Sequence, residues 1–296
     1  MKLLNYYKYL FAVSGVILVL GLLSLAIFGL KLGIDFKGGT VSELVFKDPF
    51  DQNKVREVLN AQGLGNAQLQ PAGQNGLIIR TESLEKEKHD AITKDIREKV
   101  GDFEEKRFDS IGPIVGEALK RKAIYQLGLV SLGIILYIAY AFRKVSRPFT
   151  SWQFGIAAII ALIHDLLIVL GIFSLLGHYK GIEIDSLFVT AMLTVLGFSV
   201  HDTIIVFDRI RENLKVYSGQ SVEFIVNHSI TQTLVRSLNT SLTVLFVLLA
   251  MLLFGGETIR YFVLALFVGI IAGTYSSIFV ASPVLLLIQN WRNRKR

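Results

Sequence analysis

One carboxylate, Asp202, lies inside an apolar run that is long enough to cross a membrane. The run covers residues 187–207, which is about one hydrocarbon core of helix at roughly 1.5 Å rise per residue. A charged, unpaired carboxylate at that depth costs several kcal/mol unless it binds a proton or meets a cation. A group that alternates between these two states is what proton-driven machinery requires, so Asp202 is the first candidate for function.

Arg236 is the natural cationic partner of Asp202. The uninterrupted apolar run of residues 242–254 covers only about 20 Å of helix, against a hydrocarbon core of roughly 30 Å. The helix must therefore borrow residues from its N-terminal side, which draws Arg236 below the interface. An arginine does not deprotonate in practice, so it would act as a counter-charge; the alternative is an ordinary interfacial arginine that reaches the water.

Several other polar residues of the spans could serve a proton relay or line a pore. They are His164, Asp165, His201, Asn239, Thr240 and Thr243. The histidine and aspartate near the middle of the third span could extend a relay or form a satisfied buried pair that joins helices, and both interpretations stay open. The amide and hydroxyl groups of the fifth span are expected to supply hydrogen bonds or line a water path.

The composition identifies an integral membrane protein and excludes several classes. The chain has 296 residues, of which 52% are hydrophobic, more than a soluble domain needs. Its net charge of +7 lies mostly next to the apolar runs, where basic residues set topology, so no nucleic-acid partner is expected. The absence of cysteine excludes disulfides, thiolate metal sites and cysteine nucleophiles. We expect no metal, no cofactor and no enzymatic activity.

Six apolar runs alternate with basic clusters. The candidate spans are residues 10–30, 123–142, 152–176, 187–207, about 234–254 and 261–288. The clusters are Lys2 and Lys8; Arg143, Lys144 and Arg147; Arg209, Arg211 and Lys215; and Arg292, Arg294, Lys295 and Arg296. The first run is too long for the apolar part of a signal peptide, and we interpret it as a retained anchor. The alternation predicts both termini in the cytoplasm.

The segment between the first two spans is long enough for a domain of its own. We divide the chain into residues 1–30 (cytoplasmic N-terminus and first helix), 31–122 (outer domain) and 123–296 (helices two to six and cytoplasmic C-terminus). Within the outer domain, strands are predicted at residues 40–46, 68–70, 77–81 and 103–108. Helices are predicted to be capped by Asp51 and Ser83, and Asn75-Gly76 to form a hairpin turn. The order βαββαβ is typical of an α+β, ferredoxin-like unit.

Two glycine patterns have less specific interpretations. Gly269 and Gly273 form a G-x-x-x-G spacing that favours close helix packing, although a chance match in an apolar helix is nearly as frequent. Gly38-Gly39 lacks the Gly-Lys-Ser/Thr of a nucleotide-binding loop, which favours a tight turn.

Several motifs together resemble the SecF branch of the SecD/SecF family of protein-export membrane proteins. They are residues 33–40 after the first span, 112–116 before the second, His164-Asp165, residues 197–213 around Asp202, and residues 231–241 around Arg236. The resemblance covers nearly the whole chain, and its motifs are jointly specific.

The resemblance implies half of a transporter of the resistance-nodulation-division type in the cytoplasmic (inner) membrane. Its partners would be SecD, the Sec translocon channel, exported unfolded polypeptides, protons and membrane lipid. The implied activity is use of the proton motive force to promote late-stage export, with Asp202 and Arg236 on the proton pathway.

Three other functions remain as alternatives. An exporter half for small hydrophobic molecules would be expected to carry larger outer domains. An intramembrane aspartyl protease could use Asp165 and Asp202, but Asp202 follows Ser-Val-His rather than Gly-x-Gly. In a passive scaffold, the buried charges would only hold helices together.

Overall fold

The structure is a computed structural model that describes residues 7–143 and 148–294. The chain divides into a helical unit, Met1–Lys31 with Tyr125–Arg296, and a sheet unit, Leu32–Ile124. Five residues of the basic clusters lie outside the described residues: Lys2, Lys144, Arg147, Lys295 and Arg296.

The elements follow one another with short connections. In chain order they are α1 (Tyr7–Phe28), α2 (Ile34–Lys37), β1 (Gly39–Phe46), α3 (Gln52–Ala61), β2 (Gln68–Ala72), β3 (Gly76–Thr81), α4 (Lys86–Lys99), β4 (Phe103–Ile111), α5 (Pro113–Ala141), α6 (Ser151–Lys180), α7 (Ser186–Val216), α8 (Val222–Phe254), α9 (Glu257–Ser276), a π-helical segment (Ser277–Ala281) and α10 (Ser282–Arg294).

Six helices in the described part of the chain are long and apolar enough to cross a membrane, as predicted: α1, α5, α6, α7, α8 and the continuous run from α9 to α10. Most of them are longer than their apolar runs. Helix α8 begins at Val222, because Ser221 accepts a hydrogen bond from Phe224 N at 3.2 Å and caps it. Helix α5 begins at Pro113, since proline needs no backbone donor in the first turn.

Small residues bring the central helices together. A Cβ on Gly269 would lie 2.2 Å from Val195 Cγ2, and one on Gly273 would lie 2.9 Å from Ser199 Cβ. The G-x-x-x-G pattern therefore packs α9 against α7 within the chain, which confirms the expected close packing. Helix α1 meets α6 in the same way, because a Cβ on Gly171 would lie 2.6 Å from the α1 backbone.

The sheet unit contains four antiparallel strands in the order β2-β3-β1-β4. Leu44 of β1, Leu77 of β3, Val55 of α3 and Ile96 of α4 are fully buried in one core. The two helices therefore cover the same face of the sheet. Asp51 caps α3 as predicted, since its carboxylate accepts a hydrogen bond from Asn53 N at 2.8 Å.

Three local predictions for this unit were wrong in position. Ser83 does not cap α4: Glu85 occupies the cap position without a side-chain bond, and Leu84 N donates to Thr40 Oγ1 instead. The hairpin turn precedes Gly76, with Gly73 at φ +67°. Strand β4 extends to Ile111 instead of residue 108, because its backbone pairs along the whole of β1, which the many charged side chains obscured.

The Gly38-Gly39 pair lies where the two connections to the membrane helices cross. Both glycines have positive φ, +77° and +137°, so the predicted tight turn is present. A Cβ on Gly38 would lie 2.8 Å from Pro113 Cα, and a Cβ on Gly116 would lie 2.7 Å from Gly38 N. The backbones of the two segments are in direct contact, which leaves no room for a side chain on Gly38 or Gly116.

Candidate functional site

Asp202 lies near the middle of α7 with no solvent exposure. Its Oδ2 accepts a hydrogen bond from Ser241 Oγ of α8 at 3.4 Å, a long contact. Its Oδ1 has no hydrogen-bond partner among residues 7–143 and 148–294. A buried carboxylate normally accepts several hydrogen bonds, so Asp202 is incompletely satisfied within this chain.

The surroundings of Asp202 are hydroxyl groups. Thr274 Oγ1 of α9 donates to Ser241 Oγ at 2.6 Å. Ser237, one turn before Ser241 on α8, is buried, and its hydroxyl finds no partner in the described structure. None of these three hydroxyls was among the residues predicted for the site. The four-residue spacing of the serines, which places them on one helix face, was the available signal.

The structure does not bring Arg236 to Asp202. Arg236 is exposed, and the ion pairs of the described residues do not include one between these two side chains. The reason is helical geometry: Arg236 precedes the inward-facing Ser237 by one residue, which is about 100° around the helix. His201 is exposed for the same reason, since it directly precedes the buried Asp202.

The remaining polar candidates of α8 share the face of Arg236. Asn239 and Thr243 are exposed and Thr240 is half-buried, at spacings of three, four and seven residues that place them in one stripe. Thr240 Oγ1 donates to Arg236 O at 3.0 Å, and Thr243 Oγ1 to Thr240 O at 2.7 Å. These hydroxyls are satisfied by their own helix, and none of them contacts Asp202.

A second stripe of small and polar residues is exposed on α7. It consists of Thr190, Thr194, Gly197 and His201, spaced by four, three and four residues along one face. Exposed polar side chains within a membrane span normally face a protein partner or a water-filled cavity. We call the stripes on α7 and α8 together the polar face.

Asp165, in contrast to Asp202, is fully satisfied. It lies in the middle of α6 with no exposure. Its Oδ2 accepts hydrogen bonds from Ser199 Oγ of α7 and, at 2.8 Å, from Ser276 Oγ of α9. Its Oδ1 lies 2.9 Å from Nδ1 of the neighbouring His164. The predicted pair of His164 and Asp165 therefore forms and joins three helices.

The pair extends to a fourth helix through His164. The Nε2 of His164 lies 3.2 Å from Ser14 Oγ of α1, and Ser14 Oγ lies 3.1 Å from the Tyr275 hydroxyl of α9. The Tyr275 hydroxyl donates to the Leu10 carbonyl at 2.9 Å. Ser14 and Tyr275 were not predicted, because a lone serine or tyrosine in an apolar helix carries no signal of its own.

A change of helix type adjoins both carboxylate sites. The π-helical segment begins at Ser277, directly after Ser276. Ser276 bonds to Asp165, while Ser277 Oγ lies 3.0 Å from Thr203 Oγ1, next to Asp202 in sequence. Single π turns inside α-helices are frequent at functional sites. The two consecutive serines where this segment begins thus contact the neighbourhoods of both carboxylates.

The arrangement has the chemistry of proton binding. Two carboxylates, one imidazole and a set of hydroxyls lie inside a helical bundle. Among the described side chains, no group of three or more His, Cys, Asp or Glu residues is placed to hold a metal ion.

Comparisons with known proteins identify the family of the chain. Residues 91–291 match the family model for the protein export membrane protein SecD/SecF, C-terminal, and residues 23–49 match the SecD/SecF GG motif. The chain is similar to the protein translocase subunit SecF of Thermobaculum terrenum, with 50% identity over 96% of this chain and 92% of that protein. A second relative, the subunit SecF of Anaerolinea thermophila, is 42% identical over 97% of this chain and 94% of its own length.

A solved structure has the same fold. The crystal structure of SecDF, a translocon-associated membrane protein from Thermus thermophilus, matches with a TM-score of 0.84 and 33% identity over 98% of this chain. SecDF in its super-membrane-facing form matches with a TM-score of 0.70 and 32% identity. This chain spans 39% of either SecDF chain. By these matches over nearly its whole length, the chain belongs to the SecD/SecF family of protein export membrane proteins.

Proposed function

We propose that this chain is an accessory subunit of the Sec protein translocase that works with a SecD-like partner and uses the proton motive force to promote late-stage protein export. It is a transport subunit and not an enzyme. The observation that carries the proposal is Asp202, a buried mid-span carboxylate with one oxygen that has no hydrogen-bond partner among the described residues. The relatives named SecF, of which 92–94% is covered, supply the context of export.

Asp202 is the proton-coupling residue in this proposal. A buried carboxylate with one long hydrogen bond and no cation beside it is far more stable protonated than charged. The arrangement described here therefore corresponds to the protonated state. In the charged state, Asp202 would face Arg236, which requires α8 to turn or shift because Arg236 lies about 100° away from the inward face. Such a shift couples proton binding to helix movement.

The polar face is where we propose that the partner binds. His201, Arg236, Asn239 and Thr243 are exposed within membrane-spanning helices, an arrangement that lipid alone would not favour. The SecDF chain is more than twice as long as this one, which leaves room for a second helical half. In that assembly, Thr240, Asn239 and Thr243 would line the contact or a water path, and His201 would extend the relay.

We propose the topology that the basic clusters predict. Both termini and the connection between α7 and α8 face the cytoplasm, and residues 31–122 lie outside the inner membrane as a ferredoxin-like unit. The strand order β2-β3-β1-β4 with two helices on one face supports this class. The outer unit would act on emerging unfolded polypeptides beside the translocon channel.

The alternatives are less well supported by the site. An aspartyl protease needs two carboxylates that share a proton, whereas Asp165 bonds to Ser199, Ser276 and His164, and Asp202 bonds to Ser241. A passive scaffold accounts for Asp165 but not for the Asp202 oxygen that finds no hydrogen bond in the described part of the chain. An exporter half for small molecules would be expected to carry a larger outer domain than the sheet unit, Leu32–Ile124.

The test is late-stage export measured with and without an imposed proton gradient, in membranes that contain this chain with its SecD-like partner. Asp202→Asn should fold and insert but lose the gradient-dependent stimulation. Arg236→Ala should lose it as well, because the charged state then has no counter-charge.

Asp208→Asn is the matched control for this test. Asp208 lies six residues further along α7 and is exposed, where it pairs with Arg211 at 2.5 Å. Its replacement should reduce the stimulation much less than Asp202→Asn. Retained gradient-dependent stimulation in Asp202→Asn, at matched protein level, would contradict the proposal and leave Asp202 as a structural carboxylate.

A further inference from the structure

The donor and acceptor of each hydrogen bond in the series from His164 through Ser14 and Tyr275 follow from its last member, the Leu10 carbonyl. The Leu10 carbonyl can only accept, so the single hydroxyl proton of Tyr275 is used there. The Tyr275 oxygen must then accept in its contact with Ser14, whose only proton is used in turn. Ser14 Oγ must therefore accept from His164 Nε2, 3.2 Å away. Only an Nε2 that carries hydrogen satisfies every contact of this chain.

The other ring nitrogen fixes the charge of the pair. Nδ1 of His164 and Oδ1 of Asp165 are 2.9 Å apart, so one proton must lie between them for a hydrogen bond to form. If the proton is on Asp165, both groups are neutral; if it is on His164, an imidazolium faces a carboxylate. Both cases give a net charge of zero. Ser199 and Ser276 donate to the remaining oxygen in either case.

The competing arrangement has one proton fewer and is less favourable in two respects. If Nδ1 carried the only ring hydrogen and Asp165 were ionised, Ser14 would have to donate to Nε2. Its 3.1 Å contact with the Tyr275 hydroxyl would then lack a hydrogen. A net charge of −1 would also be buried in mid-span. Among the described residues, those that make a hydrogen bond or ring contact with the pair from α1, α7 and α9 are Ser14, Ser199, Tyr275 and Ser276, none of them cationic.

We propose that His164 and Asp165 form a proton-binding site of their own, separate from Asp202. In this structure the pair holds one proton more than neutral His164 beside an ionised Asp165 would hold. Release of the proton on Nε2 turns that nitrogen into an acceptor, and Ser14 must rotate away from Tyr275 to donate to it. The contact between Ser14 of α1 and Tyr275 of α9 is lost in this step, while the hydrogen bond from Tyr275 to the Leu10 carbonyl of α1 is kept. Proton release at this site thus changes a hydrogen bond of α1, the helix that precedes the sheet unit in the chain.

The proton itself can be tested without any export assay, so the result is independent of the proposed function. The full chain is labelled with ring-¹⁵N histidine, placed in lipid nanodiscs and studied by ¹⁵N NMR as the pH is varied. The chain has five histidines, and His164→Gln assigns the His164 signals by their disappearance. We expect a protonated Nε2 at pH 7. A bare Nε2 at pH 7, with the hydrogen on Nδ1, would overturn the proposal.

Two serine variants of α1 test the hydroxyl chain. With the proton bound, Ser14 contacts both His164 Nε2 and the Tyr275 hydroxyl, and without it Ser14 contacts Nε2 alone. Ser14→Ala therefore costs the proton-bound state one more hydrogen bond and should weaken proton binding at His164 about fivefold, the value of one ordinary hydrogen bond. Ser24→Ala is the matched control, because Ser24 Oγ donates to Ser174 Oγ at 2.8 Å between the same two helices but does not contact the pair. It should leave the His164 signals unchanged. Equal shifts in both variants, or none in Ser14→Ala, would refute the role of the chain.

Discussion

Asp165 and Asp202 are two aspartates in neighbouring membrane helices, both without solvent exposure, yet their surroundings differ in kind. Asp165 contacts Ser199, Ser276 and His164 through both oxygens. Asp202 has one contact at 3.4 Å and an oxygen without a partner in the described structure. The first carboxylate is held by three helices, whereas the second is free to gain a partner.

This difference separates two uses of a buried charge. A carboxylate whose hydrogen bonds are complete contributes to stability, and its loss leaves several polar groups unpaired. A carboxylate with unmet hydrogen-bonding capacity contributes little to stability but responds to any proton, water or cation that arrives. The following variants test whether stability and activity divide between the two sites in this way.

The largest effect on stability should come from Asp165→Ala. The change leaves Ser199, Ser276 and His164 without their acceptor, so we expect a loss of about 3–5 kcal/mol in the free energy of unfolding. Asp202→Ala, the same substitution at an equally buried site, should cost about 1 kcal/mol or less, since it removes one long hydrogen bond. Denaturation in mixed detergent micelles measures both, and equal losses would abolish the distinction.

Gly273→Ala should have the next largest effect. The added Cβ would lie 2.9 Å from Ser199 Cβ, and Ser199 is held by its bond to Asp165. We expect a cost of about 1–3 kcal/mol from overpacking, measured in the same denaturation experiment. Gly133→Ala in α5 is the control, because a Cβ there meets no described atom within 4 Å. A neutral Gly273→Ala would mean that α7 and α9 separate more easily than their packing indicates.

A smaller effect, on activity, is expected from Ser241→Ala. Ser241 donates the hydrogen bond that reaches Asp202, so its loss should change the gradient-dependent part of export about fivefold, or about 1 kcal/mol. Unfolding should be nearly unaffected. Ser237→Ala, one turn away on the same face, removes a buried hydroxyl that has no described partner. It should leave export closer to the unmodified level, and a reversed order of the two variants would contradict our assignment.

The smallest effect is expected at Asp102, an exposed carboxylate of the sheet unit. A hydrogen bond from Lys47, together with the nearby charge of Arg97, lowers the pKa of Asp102 below its ordinary value of 3.8. A lowered pKa contributes stability above the ordinary value, and the contribution is lost as the pH falls below it.

Asp102→Asn should therefore slightly speed amide hydrogen exchange in β4 of the full chain at pH 7. The difference from the unmodified chain should shrink below about pH 4. Glu104→Gln, two residues away, serves as the control, since its partner Lys106 lies on the same strand. A difference that persists unchanged at low pH would rule out the ion pairs as its cause.

The existence and number of the six spans were largely predictable from the sequence, because apolar length and periodicity dominate a membrane helix. The ends were less predictable, since they depend on local caps such as Ser221 and on polar turns that continue beyond the apolar run. The same holds for β4, whose charged residues conceal a strand that exists because β1 offers it a full backbone ladder.

For the site, the sequence identified which ionisable residues are buried but not which ones meet. Asp202 and Asp165 stood out because charges in apolar runs are rare. The rotation of α8, which turns Ser237 inward and Arg236 outward, depends on packing against α7 and α9 and left no mark in composition. Serines and threonines that complete both sites are common in membrane helices, so only their positions in three dimensions reveal a role.

The backbone crossing at Gly38 and Gly116 also has a mechanical consequence. Because the segment that follows α1 and the segment that begins α5 touch without intervening side chains, a displacement of one segment acts directly on the backbone of the other. Tension on the sheet unit would be divided between two helices at once, instead of stretching a single flexible connection.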